Sequence, residues 1–392
     1  MKKSFCIVLA LLVILSMSAC GEADTPSGTG ETPSNMPVIS LPSGDEGSSV
    51  QTSPQVITPA NCVFDSNLFD GKLQSCAYAG DGKLLVAADK LYLYDTVAAS
   101  VQGVTETPLH SFYVQNIDGG YILSGMGDDG VVAYIYDESL SLNREIATRE
   151  LLAGDFVFSE TGVAASADGK KLAISAMRGL YLYDLESGNL TTLLDLTQNV
   201  GTSSIRISVL NGLTFTQDDT QLTFYGEGMS NPAVDGESSF SIYGSMAVDG
   251  SNLKLTKPSD YSIDEMQIRA SRLFFPQAFN QSGGSLLWID RQTGRENTLS
   301  FSASGEGKNG VYSSEQGKYV ATAVLAGNLT IRVYEVDSGE LVATEMIENA
   351  DSTYFNRVPR VYLLDEAKTA VVLLGGSIEG IETLVSTFEF GE

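Results

Sequence analysis

The stretch "GVAASADGKKLAISAMRGLYLYDLESGNLTTLLDL", residues 162–196, divides into four short apolar segments separated by turn signals. The Asp-Gly pair in "ADGK" and the Ser-Gly pair in "ESGN" favour tight turns between strands. The segments "GVAAS", "KLAIS", "LYLYDL" and "LTTLL" each have the length of one short strand. The stretch therefore predicts a four-stranded antiparallel meander.

The third segment of this meander recurs along the chain as an apolar or aromatic strand that ends on an acidic residue. The string "LYLYD" itself occurs at 91–95 and again at 180–184. Seven members of the repeat end at Asp95, Asp137, Asp184, Asp249, Asp290, Asp337 and Glu389. Four-strand units with a period of about 40 to 50 residues are typical of β-propellers. The predicted fold class of residues 56–392 is all-β, a seven-bladed β-propeller, with six or eight blades as alternatives.

Packing between blades explains the character of these strands. Blades lie face to face around an axis, so both faces of an inner strand are covered and its residues are apolar throughout. The tyrosines of "LYLYD" are therefore expected in the core. The acidic residue after the strand is expected to accept hydrogen bonds from amides of the following turn.

Two segments carry a family resemblance. "SADGKKLAIS" and "IYGSMAVDGSNLKLT" resemble the WD-repeat-like, TolB-type propeller repeat. That repeat runs from a serine through an Asp-Gly-Lys turn and an apolar strand to an aromatic strand and a second glycine turn. The resemblance spans residues 63–392 and implies the propeller fold, but a fold does not imply a function.

The segment "CVFDSNLF", which begins at Cys62, precedes the first blade. We expect it to complete the last blade and close the ring. Cys62 and Cys76 are the two cysteines outside the N-terminal region, and their spacing suits a disulfide in an oxidising compartment. Two buried thiols are the alternative.

The N-terminus has the pattern of a secretory signal. A basic "MKK" precedes an unbroken apolar run at 5–15, which is too short to span a bilayer. The following "SMSAC" resembles the lipobox of bacterial lipoproteins, with Met17 where that family usually has leucine. The resemblance implies a signal peptide at 1–19 and lipidation of Cys20, with acyl chains such as palmitate that anchor the chain to the bilayer. An ordinary secretory signal with a free cysteine is the alternative.

Residues 20–55 comprise this cysteine and a linker of low complexity. Between 21 and 55, 21 of 35 residues are Gly, Pro, Ser or Thr. Such a composition cannot bury a core, so it predicts a disordered tether. The predicted location is extracytoplasmic, on the outer face of a bacterial cell membrane.

The formal net charge of the chain is −26. A surface of this charge repels phosphate backbones, so nucleic acid is not an expected partner. We expect a monomer that contacts an envelope protein or glycan.

The chemistry-bearing residues do not form a catalytic pattern. His110 is the only histidine, which excludes a two-histidine metal site, and the sequence has no G-x-S-x-G elbow and no recognisable Ser-His-Asp set. Trp288 occupies the aromatic-strand position of its repeat and is expected in the core. No enzyme activity, cofactor or metal is predicted. The alternative is a propeller enzyme that acts on a small molecule or glycan through carboxylates and calcium, for which "GMGDDG" and "AVDGES" are the acidic loops.

Strand alternation identifies a candidate binding face. The loop between strands two and three of a blade and the link to the next blade lie at the same end of the propeller, and loops on a rigid scaffold commonly carry binding. The candidate residues on this face are Asp89, Asp128, Asp129, Arg178, Asp235, Asn280, Gln281 and Asn328. Residues 226–240 lengthen the fourth unit and predict an inserted loop on the same face. The predicted function is a non-catalytic binding or scaffold module for a protein, peptide or glycan.

Overall fold

A computed structural model describes residues 64–391 except 72, 74, 107–111, 201–204, 230–238, 259–261, 278–282, 303–305, 308–309, 349, 351–358 and 375–383. The predicted signal peptide, Cys20, the linker, Cys62 and His110 lie outside these residues. No helix in the described ranges is long and apolar enough to cross a bilayer.

Twenty-seven strands form seven antiparallel sheets in a ring, which is the predicted seven-bladed β-propeller. The first four blades have four strands each. Their bounds are β1 Ser75–Gly80, β2 Lys83–Ala87, β3 Leu91–Asp95 and β4 Ser100–Thr105; β5 Phe112–Ile117, β6 Gly120–Gly127, β7 Gly130–Asp137 and β8 Leu142–Ala147; β9 Val163–Ala165, β10 Lys171–Ser175, β11 Gly179–Asp184 and β12 Leu190–Asp195; β13 Arg206–Phe215, β14 Gln221–Met229, β15 Ser239–Ala247 and β16 Lys254–Thr256.

Among the described residues, blades five and six also have four strands and blade seven has three. Their bounds are β17 Gln267–Ile268, β18 Arg272–Phe275, β19 Ser285–Asp290 and β20 Glu296–Ser300; β21 Val311–Ser313, β22 Tyr319–Ala326, β23 Asn328–Glu335 and β24 Leu341–Ile347; β25 Arg360–Leu364, β26 Thr369–Leu374 and β27 Leu384–Glu389. Helical turns among the described elements are short: α1 at Thr148–Leu151 and 3-10 turns at Ser66–Leu68 and Glu160–Gly162.

The hydrophobic core is divided between the blades. Seven clusters of buried side chains are present, and each cluster joins one pair of neighbouring blades, including blades seven and one. In β3, Tyr92 and Tyr94 pack toward blade seven while Leu91 and Leu93 pack toward blade two. This confirms the prediction that the strand is buried on both faces and that these tyrosines belong to the core.

The acidic residue after the third strand closes the following turn. Asp184 Oδ1 accepts hydrogen bonds from the amide of Ser187 at 2.7 Å and from its hydroxyl at 2.8 Å. Asp137 and Asp290 make the same contacts with Ser139 and Thr293. These donors hold the pKa of all three aspartates below the ordinary value, because they stabilise the charged carboxylate. The predicted role is confirmed for these three residues. In blade six the strand ends at Glu335, which accepts a hydrogen bond from the Ser338 hydroxyl, and Asp337 pairs instead with Arg272 of blade five, so the prediction for Asp337 is wrong.

Closure of the ring differs from the expectation. The described part of "CVFDSNLF" forms a 3-10 turn, and blade seven contains only β25, β26 and β27 among the described strands. Phe64 and Phe69 instead pack into the core between blades seven and one, 5.4 Å apart between ring centroids. The segment therefore contributes apolar side chains to the joint, and the prediction that it adds a strand is wrong for its described residues.

The insertion in blade four is also different from the predicted loop. Residues 226–229 continue β14, and Ser239 and Phe240 begin β15, so part of 226–240 lengthens a hairpin. Gly226 permits this extension, because a Cβ there would lie 2.1 Å from the carbonyl oxygen of Val209. Asp235 and the rest of the insertion lie outside the described residues.

Candidate functional site

The described residues of the predicted face occupy equivalent positions in their blades. Asp89, Asp128, Asp129, Arg178 and Asn328 each lie in or beside the connection between the second and third strands of their blades. These connections share one end of the propeller because successive strands are antiparallel. Asp235, Asn280 and Gln281 lie outside the described residues. The structure places the five described residues at one end of the propeller, in four different blades.

Two of these residues have roles in local structure. Asp89 accepts a hydrogen bond from the hydroxyl of Tyr92 at 2.7 Å, and it thereby fixes the loop beside the N-terminal segment. Arg178 pairs with Asp155 at 3.4 Å. Asp128 and Asp129 are exposed in the turn between β6 and β7. The acidic turn is thus accessible to a partner, whereas Asp89 and Arg178 also position neighbouring segments.

Asp155 organises the region where blades two and three meet. This buried carboxylate accepts hydrogen bonds from the hydroxyl of Tyr181 at 3.0 Å and from the amide of Arg178 at 3.2 Å. It also accepts from the amide of Phe156 at 3.0 Å. The Asp155 carboxylate therefore holds two segments together: the link between β8 and β9, which joins blades two and three, and the loop between β10 and β11.

An apolar patch lies on this fixed support. Four side chains, here called the Met–Phe patch, are between 36% and 52% exposed: Met126, Phe156, Phe158 and Met177. The rings of Phe156 and Phe158 are 5.5 Å apart in edge-to-face geometry. The amide of Met177 donates to the carbonyl of Phe156 at 2.8 Å. They are four of the ten exposed large apolar side chains among the described residues, and they include both exposed phenylalanines.

The Met–Phe patch adjoins the acidic turn. A Cβ built on Gly130 would lie 4.0 Å from the Phe156 ring, so this ring approaches the turn that carries Asp128 and Asp129. Exposed clusters of aromatic and methionine side chains are characteristic of protein interfaces. The neighbouring carboxylates add negative charge at the rim, which favours basic groups on a partner.

A second feature is the cavity along the propeller axis. It has a volume of about 1300 Å³, and all seven blades contribute residues to its wall. The inner strands supply most of these residues because they face the axis. A cavity of this size is large enough to hold a small molecule.

Charged groups of both signs face the cavity. Arg269 and Arg291 line it at the end of blade five, opposite Tyr113 of blade two. Asp264 and Glu265 line it before β17. Enclosure by protein raises the pKa of both carboxyls, because burial disfavours their charged form. The cavity therefore offers several groups for polar recognition.

Glu315 lies where the cavity meets the turns between first and second strands. Its Oε2 accepts a hydrogen bond from the amide of Gly82 at 3.3 Å, while Oε1 is buried without a hydrogen-bond partner in the described structure. Burial raises the pKa of Glu315 to about 7, and the carboxyls of Asp365, Asp81 and Glu366 add to this effect. This carboxyl titrates near neutrality.

The sequence raised two chemical possibilities, a calcium site and a disulfide between Cys62 and Cys76. Within the described ranges, no three His, Cys, Asp or Glu side chains are grouped as a metal ion requires. Cys76 is a free, buried thiol, and burial raises its pKa to about 12. Its predicted partner Cys62 lies outside the described residues, so the structure does not support the disulfide. Trp288 is buried between blades five and six, as predicted.

Comparison with known proteins adds no assignment. No protein-family model matches the sequence. A search of curated proteins finds no match either. The fold and its side chains are therefore the basis for assigning a function.

Neither the Met–Phe patch nor the pair of cavity arginines was predicted from the sequence. The signal for Phe156 and Phe158 is the link between β8 and β9, where "FVF" precedes a 3-10 turn and no strand. The arginines have no such signal, because Arg291 follows β19 and its place at the cavity depends on the packing of blades four and five.

Proposed function

We propose that this chain is a non-catalytic binding module whose propeller captures a protein partner. The propeller is of the WD-repeat-like, TolB-type class, and the chain is anchored by lipid on the extracytoplasmic side of the membrane. The Met–Phe patch is the observation that carries the proposal. Aromatic and methionine side chains commonly provide much of the binding energy at protein interfaces. The support from Asp155 means that little ordering is required when a partner docks.

The chemistry of the patch indicates what the partner presents. Phe156 and Phe158 offer apolar ring faces and edges without the hydroxyl or indole groups that bind sugars by hydrogen bonds. Asp128 and Asp129 contribute negative charge beside them. We therefore propose a protein surface or peptide segment with apolar side chains flanked by lysine or arginine.

Crosslinking tests this docking site. A photoreactive residue replaces Met177, and the same residue replaces Leu190 at an exposed position on β12 as the control. In living cells, the Met177 position is expected to crosslink to one defined protein and the Leu190 position is not. Purified partner is then expected to bind at least tenfold more weakly to a Phe156→Ser, Phe158→Ser double variant, because loss of a central aromatic contact costs about 2 kcal/mol or more.

A matched double variant controls for lost surface hydrophobicity. Leu142→Ser with Leu190→Ser removes two comparably exposed side chains from fourth strands. It is expected to bind the partner like the wild type. Equal loss in both double variants would contradict the proposed site, and binding of a purified glycan that depends on Phe156 and Phe158 would replace a protein partner with a sugar.

Lipidation of Cys20 has its own test. Metabolic labelling with a palmitate analogue is expected to mark the wild-type chain and not a Cys20→Ala variant, since the thioether requires the cysteine sulfur. Labelling that persists in the variant would contradict an anchor at this residue.

A further inference from the structure

Two arginines that line the axial cavity belong to none of the ion pairs among the described residues. The described ion pairs involve Lys90, Lys170, Arg178, Arg272 and Arg332, and neither Arg269 nor Arg291 belongs to one. The chain contains 49 acidic and 23 basic residues. Unpaired arginines inside so acidic a protein therefore require a physical explanation.

Arg291 is held by neutral groups alone. Its Nη1 donates to the carbonyl of Arg269 at 2.8 Å, and its Nη2 donates to the carbonyl of Phe215 in blade four at 3.1 Å. The guanidinium thus bridges blades four and five and faces the cavity. Burial lowers the pKa of Arg291, which reflects the cost of keeping this charge away from water.

Arg269 is fixed in a similar way from the same blade. Its Nε donates to the carbonyl of Ser313 in blade six at 3.2 Å, and its Nη1 donates to the carbonyl of Ile268 at 2.8 Å. The guanidinium carbon lies 4.9 Å from the ring centre of Tyr78. A guanidinium has five N–H donors, so both arginines retain donors beyond those used.

Tyr113 adds a hydroxyl from the opposite side of the cavity. This side chain lies on the inner strand of blade two, and its hydroxyl makes no hydrogen bond to the described part of the protein. Burial raises the pKa of Tyr113 to about 12, although the positive charges of Arg269 and Arg291 oppose the increase. The hydroxyl therefore lies within the electrostatic influence of both guanidiniums.

We propose that Arg269, Arg291 and Tyr113 form a binding site for a compact oxyanion, a carboxylate or a phosphate, carried by a small molecule in the axial cavity. Enclosed charges are unfavourable unless an opposite charge accompanies them. Guanidiniums suit this role because their planar donors match carboxylate and phosphate oxygens.

Other charged groups share the cavity wall and bear on the rest of the ligand. Asp264, Glu265 and Arg360 also face the cavity, and Glu265 lies within electrostatic range of Arg269. In their ionised form the two carboxyls repel a second negative group. A ligand with one oxyanion and a neutral or amine-bearing remainder satisfies both regions. This site goes beyond the proposed docking function, and it is separate from the Met–Phe patch.

Calorimetric titration of the full chain in detergent tests the proposal, with butyrate and inorganic phosphate as probes and neutral butyramide as the control. One or both anions are expected to bind with one-to-one stoichiometry, and butyramide is not. Arg291→Gln is expected to weaken binding at least tenfold and Tyr113→Phe several-fold. Tighter binding of butyrate identifies a carboxylate ligand, and tighter binding of phosphate identifies a phosphate ester.

Two controls make the result decisive. Arg144→Gln removes an exposed arginine of β8 and is expected to leave binding unchanged. Tyr113→Phe removes a hydroxyl without a described protein partner, so it tests the site even where Arg291→Gln does not fold. The proposal is overturned if neither anion binds. It is also overturned if Tyr113→Phe and Arg291→Gln both bind anion as tightly as the wild type does. The Phe156→Ser, Phe158→Ser variant is expected to bind anion normally, which separates this test from that of the docking function.

Discussion

The hydroxyl of Tyr78 in blade one accepts a hydrogen bond from the amide of Leu363 in blade seven, with an N–O distance of 2.7 Å. The same hydroxyl lies 3.3 Å from the carbonyl of Ser313 in blade six. In return, the hydroxyl of Tyr362 in blade seven donates to the carbonyl of Cys76 at 2.9 Å. Polar contacts at the joint between the first and last blades thus depend on two tyrosines.

The first prediction concerns this joint. Tyr78→Phe is expected to lower the free energy of unfolding by about 1–3 kcal/mol, because the buried Leu363 amide loses its acceptor. Urea unfolding followed by the fluorescence of Trp288 measures the change. Tyr134→Phe is the control, since Tyr134 is buried but its hydroxyl makes no described hydrogen bond. Equal effects of the two substitutions would show that the Tyr78 hydroxyl does not stabilise closure.

A second prediction concerns the contact between blades five and six. The amide of Gln267 donates to the carbonyl of Val311 at 2.6 Å, and its oxygen accepts from the Ser313 amide at 2.9 Å. Gln267→Met leaves both buried partners without a hydrogen bond and is expected to cost about 2–4 kcal/mol in unfolding experiments. Gln102→Met, on the outer strand β4, is expected to have little effect. A similar stability of both variants would exclude this clamp as a major contributor.

The third prediction is a pH dependence. The pKa of Glu315 is about 7 in the folded protein against an ordinary value of 4.5, so the folded state binds this proton more tightly than the unfolded state does. The resulting stabilisation is complete below about pH 4.5 and is lost as the pH rises through 7.

Glu315→Gln keeps the neutral form at every pH. Its melting temperature is expected to exceed that of the wild type at pH 8 and to approach it at pH 4.5. Thermal unfolding of both proteins across this range measures the difference. A constant offset at all pH values would mean that Glu315 does not titrate in this window.

The fourth prediction concerns Cys76. Because its thiol is buried and has a pKa of about 12, it is expected to resist thiol reagents in the folded protein. In a variant of residues 21–392 with Cys62→Ser, one thiol is expected to react only after denaturation. The corresponding chain with Cys62 is expected to release two thiols on denaturation without a reductant; release of none would establish the Cys62–Cys76 disulfide.

The sequence predicted the blade number and the third strands because those features depend on local order. Strand length, Asp-Gly turns and the acidic residue after "LYLY" are determined within one blade. The alternation of Tyr92 and Leu93 toward different neighbours follows once blades pack face to face. The fold was therefore accessible from the repeat alone.

The candidate sites were less accessible because they depend on contacts distant in sequence. Arg291 reaches the carbonyl of Phe215 across 76 residues. The packing of Phe64 and Phe69 at the joint likewise depends on the position of blade seven. Turn and strand patterns contain no information about such pairs, so the sequence located one end of the propeller and not the side chains of the candidate sites.

Phe64 and Phe69 also determine how the ring bears mechanical load. A force applied on the N-terminal side of residue 64 acts at the joint between the first and last blades. In the described structure this joint is held by side-chain packing and tyrosine hydroxyls, whereas each blade is held by ladders of backbone hydrogen bonds. Tension is therefore expected to separate blades one and seven before it pulls a strand from any sheet.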